Sequence, residues 1–227
     1  MSLSRSFLFV VACFLFIALP ACGGSEAASV EDATVIFRDE FTPGEMGAWQ
    51  VEGDDVGQTA VIDQKLVIAI EQPHTMQYTT LQEPVVTDFS LEVDAQQLSG
   101  NPESSYGILA RMRGADQFYR FEITSNGLYM VERHNADGTW SQYLDDWTAS
   151  TAIKQGLNST NRLKVEALGA NLAFYVNDTL LHEISDDGVG LETNVALDAG
   201  TFAHAGLQVA FDNLVIYERQ RPLLGAE

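Results

Sequence analysis

The stretch Asn161–Ile184, NRLKVEALGANLAFYVNDTLLHEI, decides the fold of this chain. Apolar Leu163 and Val165 alternate with charged residues, and the same alternation returns after Gly169-Ala170-Asn171 and again after Asn177-Asp178. A period of two, interrupted twice by residues that tolerate tight turns, is typical of antiparallel strands joined by hairpins. The stretch therefore predicts a three-stranded β-meander.

The same alternation runs through the chain from Val35 to Tyr217. Asn126-Gly127 and Asp137-Gly138 are strong hairpin signals between alternating segments. Roughly a dozen short strands at regular spacing predict an all-β fold, an antiparallel two-sheet jelly-roll β-sandwich. With 227 residues and 46% hydrophobic content, we expect one such domain over residues 34–218, followed by a polar tail at 219–227.

The first 33 residues follow a different pattern. Arg5 precedes an apolar run, Phe7–Leu19, which is too short for a comfortable membrane span and ends at Leu19-Pro20-Ala21-Cys22. Residues 1–21 resemble a bacterial lipoprotein signal peptide, with Cys22 as the lipidated residue. Ordinary cleavage with an incidental Cys22 is the alternative, although Cys22 is the only cysteine outside the apolar run and so has no internal disulfide partner. Residues 22–33 are small and polar and predict a flexible tether.

These features predict a protein anchored by lipid to the bacterial cell envelope and exposed outside the cytoplasm. The formal net charge is −20, from 32 acidic and 12 basic residues. A surface of this charge repels phosphate backbones, so we expect no nucleic-acid partner, and contact with the membrane through the lipid anchor alone. Neutral polymers and divalent cations suit the charge better.

Four segments together resemble the concanavalin A-like lectin/glucanase superfamily. They are Asp39-Glu40-Phe41 with Trp49 downstream, Phe89–Gln96, Asn161–Asn177 and Phe211–Tyr217. The first and last are similar to segments of family 16 glycoside hydrolases, and the middle is similar to laminin-G-like domains. The resemblance covers about residues 35–217, and it implies two antiparallel sheets, one of them curved so that its concave face offers a groove.

The resemblance to family 16 also implies where catalytic residues would lie. Those enzymes carry Glu-x-Asp-x-x-Glu or Glu-x-Asp-x-Glu on one strand, with the last Glu as general acid. Here the strand reads Glu92-Val93-Asp94-Ala95-Gln96-Gln97, and an amide cannot donate the proton that the leaving oxygen needs. Glu92 and Asp94 are therefore weak catalytic candidates, and the alternative is the polar face of an amphipathic strand. We expect no enzyme; a hydrolase with its acid supplied from elsewhere is the alternative.

Sugar sites combine aromatic faces with a few polar side chains, and two regions offer such residues. The outward positions of central strands supply groove candidates: Glu92, Asp94, Arg111, Arg120 and Glu122. For the last three, the alternative is a solvated set of cross-strand ion pairs. The segment after Asp137-Gly138 supplies Trp140, Tyr143 and Trp147; for the two tryptophans the alternative is core or edge packing, and Trp49 and Phe41 are assigned to the core. The sequence thus predicts binding of a polysaccharide or glycan without hydrolysis. A protein-interaction or structural surface module is a further alternative.

The superfamily resemblance also implies a structural Ca²⁺, held by an Asp of the closing strand and by groups near the first strand. Asp212 stands at the first position, and Asp39 or Glu40 lies in the second segment. The alternative is that Asp212-Asn213 only bonds backbone at the entry of a strand.

Overall fold

The computed structural model describes residues 34–43, 47–50, 56–190 and 193–220, so the predicted signal peptide, Cys22 and the tether lie outside the described residues. The described residues form strands, turns and bends but no helix. None of them belongs to a helix that could cross a membrane. The strands are β1 (Val35–Asp39), β2 (Trp49–Gln50), β3 (Gly57–Ile62), β4 (Lys65–Ile70), β5 (Met76–Val86), β6 (Phe89–Ser99), β7 (Ser105–Arg113), β8 (Gln117–Thr124), β9 (Leu128–His134), β10 (Trp140–Gln142), β11 (Thr148–Ala149), β12 (Asn161–Leu168), β13 (Asn171–Val176), β14 (Thr179–Ser185), β15 (Thr193–Gly200) and β16 (Leu207–Glu218).

The strands pair into two antiparallel sheets. The first sheet has the order β14-β13-β12-β6-β16-β4-β3, and β1 also pairs with β16. The second sheet has the order β10-β9-β8-β7-β15-β5-β2, and β11 also pairs with β9. The fold is an antiparallel jelly-roll β-sandwich, which confirms the predicted fold class.

The predicted meander is confirmed as β12, β13 and β14. Leu163 pairs with Val176 and Val165 pairs with Phe174, so the alternating apolar side chains share one buried face. The two turns are at Gly169, with a φ of 59°, and at Asn177-Asp178, with φ angles of 48° and 63°. These residue types adopt positive φ at low cost, which is why the alternation breaks there.

The core lies between the inner faces of the two sheets. Phe41 and Trp49 are buried in it as predicted, with ring centroids 5.9 Å apart. Trp49 Nε1 donates to Asp39 Oδ2 at 2.9 Å, so the one polar atom of the indole is satisfied. Each such aromatic side chain contributes about 1.5–3 kcal/mol through burial.

The second sheet also carries a smaller apolar cluster on its outer face, away from the core. Leu109, Met112, Phe118 and Ala196 are buried there, and Met76 and Tyr78 pack against them. Because the central strands of this sheet bear apolar residues on both faces, polar side chains on the outer face lie in partly desolvated surroundings. This surface is where the candidate site lies.

Candidate functional site

Side chains from all the strands of the β10-to-β2 path form one row across the outer face of the second sheet. We call this set the cross-strand row. In order from one edge of the sheet to the other, it consists of Trp140, His134, Phe118, Met112, Asn194, Gln82 and Gln50.

Strand register and hydrogen bonds establish the row. Trp140 pairs with His134, His134 with Phe118, and Met112 with Asn194. Asn194 Nδ2 donates to the carbonyl oxygen of Gln82 at 3.1 Å, and Gln82 Nε2 donates to Gln50 Oε1 at 2.9 Å. Since neighbouring strands lie about 4.8 Å apart, the row extends roughly 29 Å across the sheet.

One end of the row is aromatic. His134 stacks on Phe118 at 5.2 Å with an interplanar angle of 17°, and Trp140 meets both rings edge-on, at 4.7 Å and 5.8 Å. His134 Nδ1 lies 2.8 Å from the carbonyl oxygen of Asp116, which fixes the imidazole. Phe118 is buried, whereas Trp140 is 42% exposed. The packing thus holds a large aromatic side chain in place at the surface.

The other end of the row borders a groove of about 330 Å³. None of the described side chains that line it carries a charge. The lining residues are Gln50, Tyr78, Thr80, Gln82, Met112, Gly114, Ala115 and Asn194. Amide and hydroxyl groups on an uncharged surface can bind the hydroxyls of a neutral ligand by hydrogen bonds.

A buried ion cluster lies beside the row, toward the ends of β8 and β15. Arg120 Nε donates to Asp198 Oδ2 at 2.8 Å, its Nη2 lies 2.6 Å from Glu122 Oε1, and its Nη1 lies 3.5 Å from Glu132 Oε1. Asp198 is fully buried and the Glu122 side chain is 2% exposed. The Arg120 guanidinium also lies 6.0 Å from the centre of the Trp140 ring, so the cluster supports the aromatic end of the row.

Burial governs the protonation of this cluster. It raises the pKa of Glu122 to about 8; the Arg120 charge opposes the rise and the Asp198 charge adds to it. Burial also raises the pKa values of Asp198 and Glu132, again against the Arg120 charge. Three carboxyl groups share one guanidinium, so the raised pKa values favour retention of a proton within the cluster.

Two glycines make room for the cluster. A Cβ on Gly200 would lie 2.8 Å from Ser105 Oγ and 3.1 Å from Arg120 Nη2. A Cβ on Gly107, which pairs with Glu122 and Asp198 on its two sides, would lie 1.8 Å from the carbonyl oxygen of Phe121. The close approach of these strands therefore depends on the missing side chains.

The structure places the predicted binding residues in different environments. Arg120 and Glu122 lie on the outer face of the second sheet, in the ion cluster. They form ion pairs, as in the alternative, but these pairs are buried and not solvated, and they do not line an open groove. Trp140 lies in the cross-strand row. Trp147 lies outside the row and meets Phe202 edge-on at 6.0 Å.

The predicted outward position of Arg111 is wrong. Its side chain is 1% exposed, and its Nη2 donates to the carbonyl oxygen of Gly169 at 2.7 Å and lies 3.6 Å from Asp88. The register of β7 shifts between Ala110 and Arg113, and Arg111 has a φ of 50°. This β-bulge turns the side chain away from the outer face.

Tyr143 also lies away from the predicted groove. Its hydroxyl hydrogen-bonds to Asp186, and its ring lies 6.3 Å from that of Tyr119, a core residue. Burial and the Asp186 carboxylate raise the pKa of Tyr143. Strand β10 ends at Gln142, and residues 143–146 form bends. The alternation that starts at Trp140 therefore does not predict the direction of the Tyr143 side chain.

Glu92 and Asp94 lie on the first sheet, not beside Arg120 and Glu122. On the neighbouring strand β12 they face Arg162, whose guanidinium lies 4.0 Å from the Glu92 carboxylate and 3.4 Å from the Asp94 carboxylate. The expectation that one groove collects the outward residues of all central strands is therefore wrong. The geometry matches the alternative of a polar strand face.

The predicted calcium ligands are already engaged. Asp39 Oδ1 accepts from the Phe41 amide at 2.7 Å and its Oδ2 accepts from Trp49, while Asp212 Oδ1 accepts from the Asn213 amide at 2.8 Å. Among the described residues, no three His, Cys, Asp or Glu side chains gather where they could hold a metal ion. A calcium site at Asp212 and Asp39 would therefore depend on backbone carbonyls as well, and the calcium expectation stays a prediction.

Sequence reasoning did not find the amide end of the row or Asp198. Gln50, Gln82 and Asn194 are unremarkable as single residues, and only strand pairing brings them together. Asp198 did leave a signal, because it is the one charged residue in the otherwise apolar run Val195–Gly200. A lone acid in a buried strand requires a partner, and that requirement points to an arginine on a neighbouring strand.

No protein-family model matches the chain, and no curated protein matches it either. Several solved structures are similar to the chain. A Bacillus subtilis protein of unknown function with a galectin-like fold is 11% identical, with 85% of this chain and 99% of that chain covered and a TM-score of 0.60. The carbohydrate-binding module CBM66 from Bacillus subtilis is 16% identical (79% and 96% covered, TM-score 0.51), and a Bacillus licheniformis β-glucanase is 10% identical (84% and 100% covered, TM-score 0.57). At such identities the likeness shows the fold alone, an antiparallel jelly-roll β-sandwich.

Proposed function

We propose that this chain is a lipid-anchored protein of the bacterial cell envelope that binds a polysaccharide along the cross-strand row without hydrolysing it. The observation that carries the proposal is the row itself, which joins the exposed Trp140 at one end to an uncharged groove lined by amides at the other. Sugar rings stack on aromatic faces, and their hydroxyls bond to amides and hydroxyls. A polymer lying across the strands would meet both.

The fold and the charge support the proposal. Two of the similar structures are a carbohydrate-binding module and a β-glucanase. The net charge of −20 disfavours nucleic acids and strongly anionic polymers. Anchoring through Cys22 and the tether would hold the sandwich outside the cytoplasm, with the outer face of the second sheet available to the surrounding polymer.

Retention of the full chain, solubilised in detergent, on a panel of immobilised polysaccharides tests the proposal. We expect selective retention on one polymer, reduced at least about tenfold by Trp140→Ala, as expected for the loss of one stacked aromatic. Tyr175→Ala, which removes an aromatic side chain from the first sheet, is the matched control and should bind like the wild type. Retention on no polymer would contradict the proposal and favour the protein-interaction module.

One observation favours a second candidate function, a glycoside hydrolase. The raised pKa of Glu122, about 8, gives a carboxylic acid that holds its proton at neutral pH beside two other carboxyl groups. Against it, the Glu122 side chain is 2% exposed. Chain-shortening of the retained polymer that disappears in Glu122→Gln would establish the hydrolase, whereas an unchanged polymer would leave binding as the function.

A further inference from the structure

The amide end of the row has a chemical character that the aromatic end lacks. Both donors of the Asn194 side-chain amide are engaged, because Nδ2 donates to the carbonyl oxygens of Leu81 at 3.0 Å and Gln82 at 3.1 Å. Asn194 therefore offers a ligand its Oδ1 acceptor. The bond from Gln82 Nε2 to Gln50 Oε1 orients the neighbouring amides in the same groove.

The groove also has apolar lining residues. Met112, Ala115 and Tyr78 contribute to the lining, and Met112 is the cross-strand neighbour of Asn194. The Thr80 hydroxyl lies 3.6 Å from Met112 Sδ. A ligand group that enters the groove can therefore meet amide and apolar side chains together.

We propose that this groove binds the acetamido group of an N-acetylated sugar unit. The inference rests on the proposed function and names the sugar class that the amide end of the row takes. The acetamido N–H donates to Asn194 Oδ1, its carbonyl accepts from the second N–H of the Gln82 amide, and its methyl group contacts Met112 and Ala115.

The alternatives at the same position of a sugar fit less well. Among the described residues that line the groove, an ammonium group finds no carboxylate and a carboxylate finds no cation. A single hydroxyl leaves the apolar lining side chains uncovered and makes fewer hydrogen bonds. The groove volume of about 330 Å³ falls within the usual range of small-ligand sites, roughly 300–1,000 Å³.

The test compares N-acetylglucosamine, glucosamine, glucose and glucuronate, titrated into the full chain in detergent and followed by ligand-observed NMR. The first three probes differ only in the substituent on C2, whereas glucuronate has the C2 hydroxyl of glucose and a carboxylate at C6. We expect N-acetylglucosamine to bind about tenfold or more tightly than the other three, because one hydrogen bond and one buried methyl group separate them. Asn194→Ala should remove that preference, while Tyr175→Ala should retain it.

The outcomes separate this inference from the proposed function. Polysaccharide retention that depends on Trp140, with no preference for the N-acetylated sugar, would overturn the inference and leave the proposed function standing. A preference for N-acetylglucosamine in a chain that no polysaccharide retains would support the inference about the groove and overturn the proposed binding of a polysaccharide. If Asn194→Ala does not fold, Gln82→Ala replaces it, and equal binding of the four sugars by the wild type overturns the inference on its own.

Discussion

The outer faces of the two sheets carry similar charged residues in very different surroundings. On the first sheet, Arg162 is 51% exposed and lies 3.4 Å from Asp94, so its ion pair is largely solvated. On the second sheet, Arg120 is 11% exposed and lies 2.8 Å from Asp198, which is fully buried. Solvated pairs contribute about 0–1 kcal/mol, whereas a buried cluster strongly affects stability when one partner is removed. The comparison shows that one alternating polar pattern can give a passive surface on one sheet and a desolvated site on the other.

The difference comes from the residues around each arginine. On the outer face of the second sheet, Arg120 has Phe118 on its own strand, Leu109 opposite it on β7, and the Trp140 ring from β10 at 6.0 Å. These side chains exclude water from the ion cluster and also form part of the surface proposed to bind the ligand. Stability and binding are thus coupled on the second sheet and not on the first.

The largest expected effect is the loss of Arg120. Arg120→Met would leave the buried carboxyl groups without their cation, and we expect it to lower the free energy of unfolding by about 3–5 kcal/mol. The matched change Arg162→Met on the first sheet should cost less than about 1 kcal/mol. Urea unfolding followed by circular dichroism measures both, and equal costs would contradict the contrast between the faces.

The pH dependence of stability should follow from Glu122. Its pKa is raised from 4.5 to about 8, so between these values the folded chain holds a proton that the unfolded chain has released. Stability is then highest toward pH 5 and falls as the pH rises to 8, and this one group contributes at most about 1.4 kcal/mol per pH unit. Unfolding measured across this range should show a smaller slope in Glu122→Gln, because glutamine stays neutral. The raised pKa values of Asp198 and Glu132 act in the same direction and account for any residual slope.

The control for this pH effect is Glu166→Gln, on the outer face of the first sheet. It should retain the wild-type slope. A wild-type stability that rises from pH 5 to pH 8 would contradict the account of the cluster.

A smaller effect is expected at Gly200, where the ion cluster meets the backbone. Because an added Cβ would lie 3.1 Å from Arg120 Nη2 and 2.8 Å from Ser105 Oγ, Gly200→Ala should displace both groups and cost about 1–3 kcal/mol. Thermal unfolding gives the cost, and retention on the bound polysaccharide shows whether Trp140 moves as well. A wild-type melting temperature in Gly200→Ala would show that the cluster accommodates the added methyl group, and would contradict the prediction.

The smallest expected effect concerns calcium. If Asp212 holds a structural Ca²⁺, a chelator should lower the melting temperature of the wild type but not that of Asp212→Ala, since a ligand bound only to the folded state stabilises it. Equal shifts in both proteins would remove Asp212 from the site. Differential scanning calorimetry with and without chelator gives the answer.

Local alternation was enough to predict the sandwich. The meander of β12, β13 and β14 follows from residues that are close in sequence, with turns at Gly169 and Asn177-Asp178, and the structure has the turns at those positions. The burial of Phe41 and Trp49 followed from their size. These features depend on local propensity and on the two-residue period of a strand, which the sequence displays directly.

The candidate site depends on non-local pairing, which alternation cannot supply. Gln50 and Trp140 lie at opposite edges of the second sheet, and only the strand order places them in one row. A β-bulge turns the Arg111 side chain to the opposite face of its strand. Tyr143 follows the end of β10, so its side chain bonds to Asp186 and does not continue the alternation of the strand. Glu92 and Asp94 lie outside the candidate site because their strand, β6, pairs with β12 and β16 in the first sheet. The pairing of a strand depends on the whole topology and not on its own sequence pattern.

The most direct test of the central claim is hydroxyl-radical footprinting of the full chain with and without the polysaccharide that retains it. The account predicts that the ligand protects Trp140 and His134, on the outer face of the second sheet, and leaves the reactivity of Tyr175 on the first sheet unchanged. Protection of Tyr175 with Trp140 still fully reactive would contradict it and would move the binding surface to the other sheet.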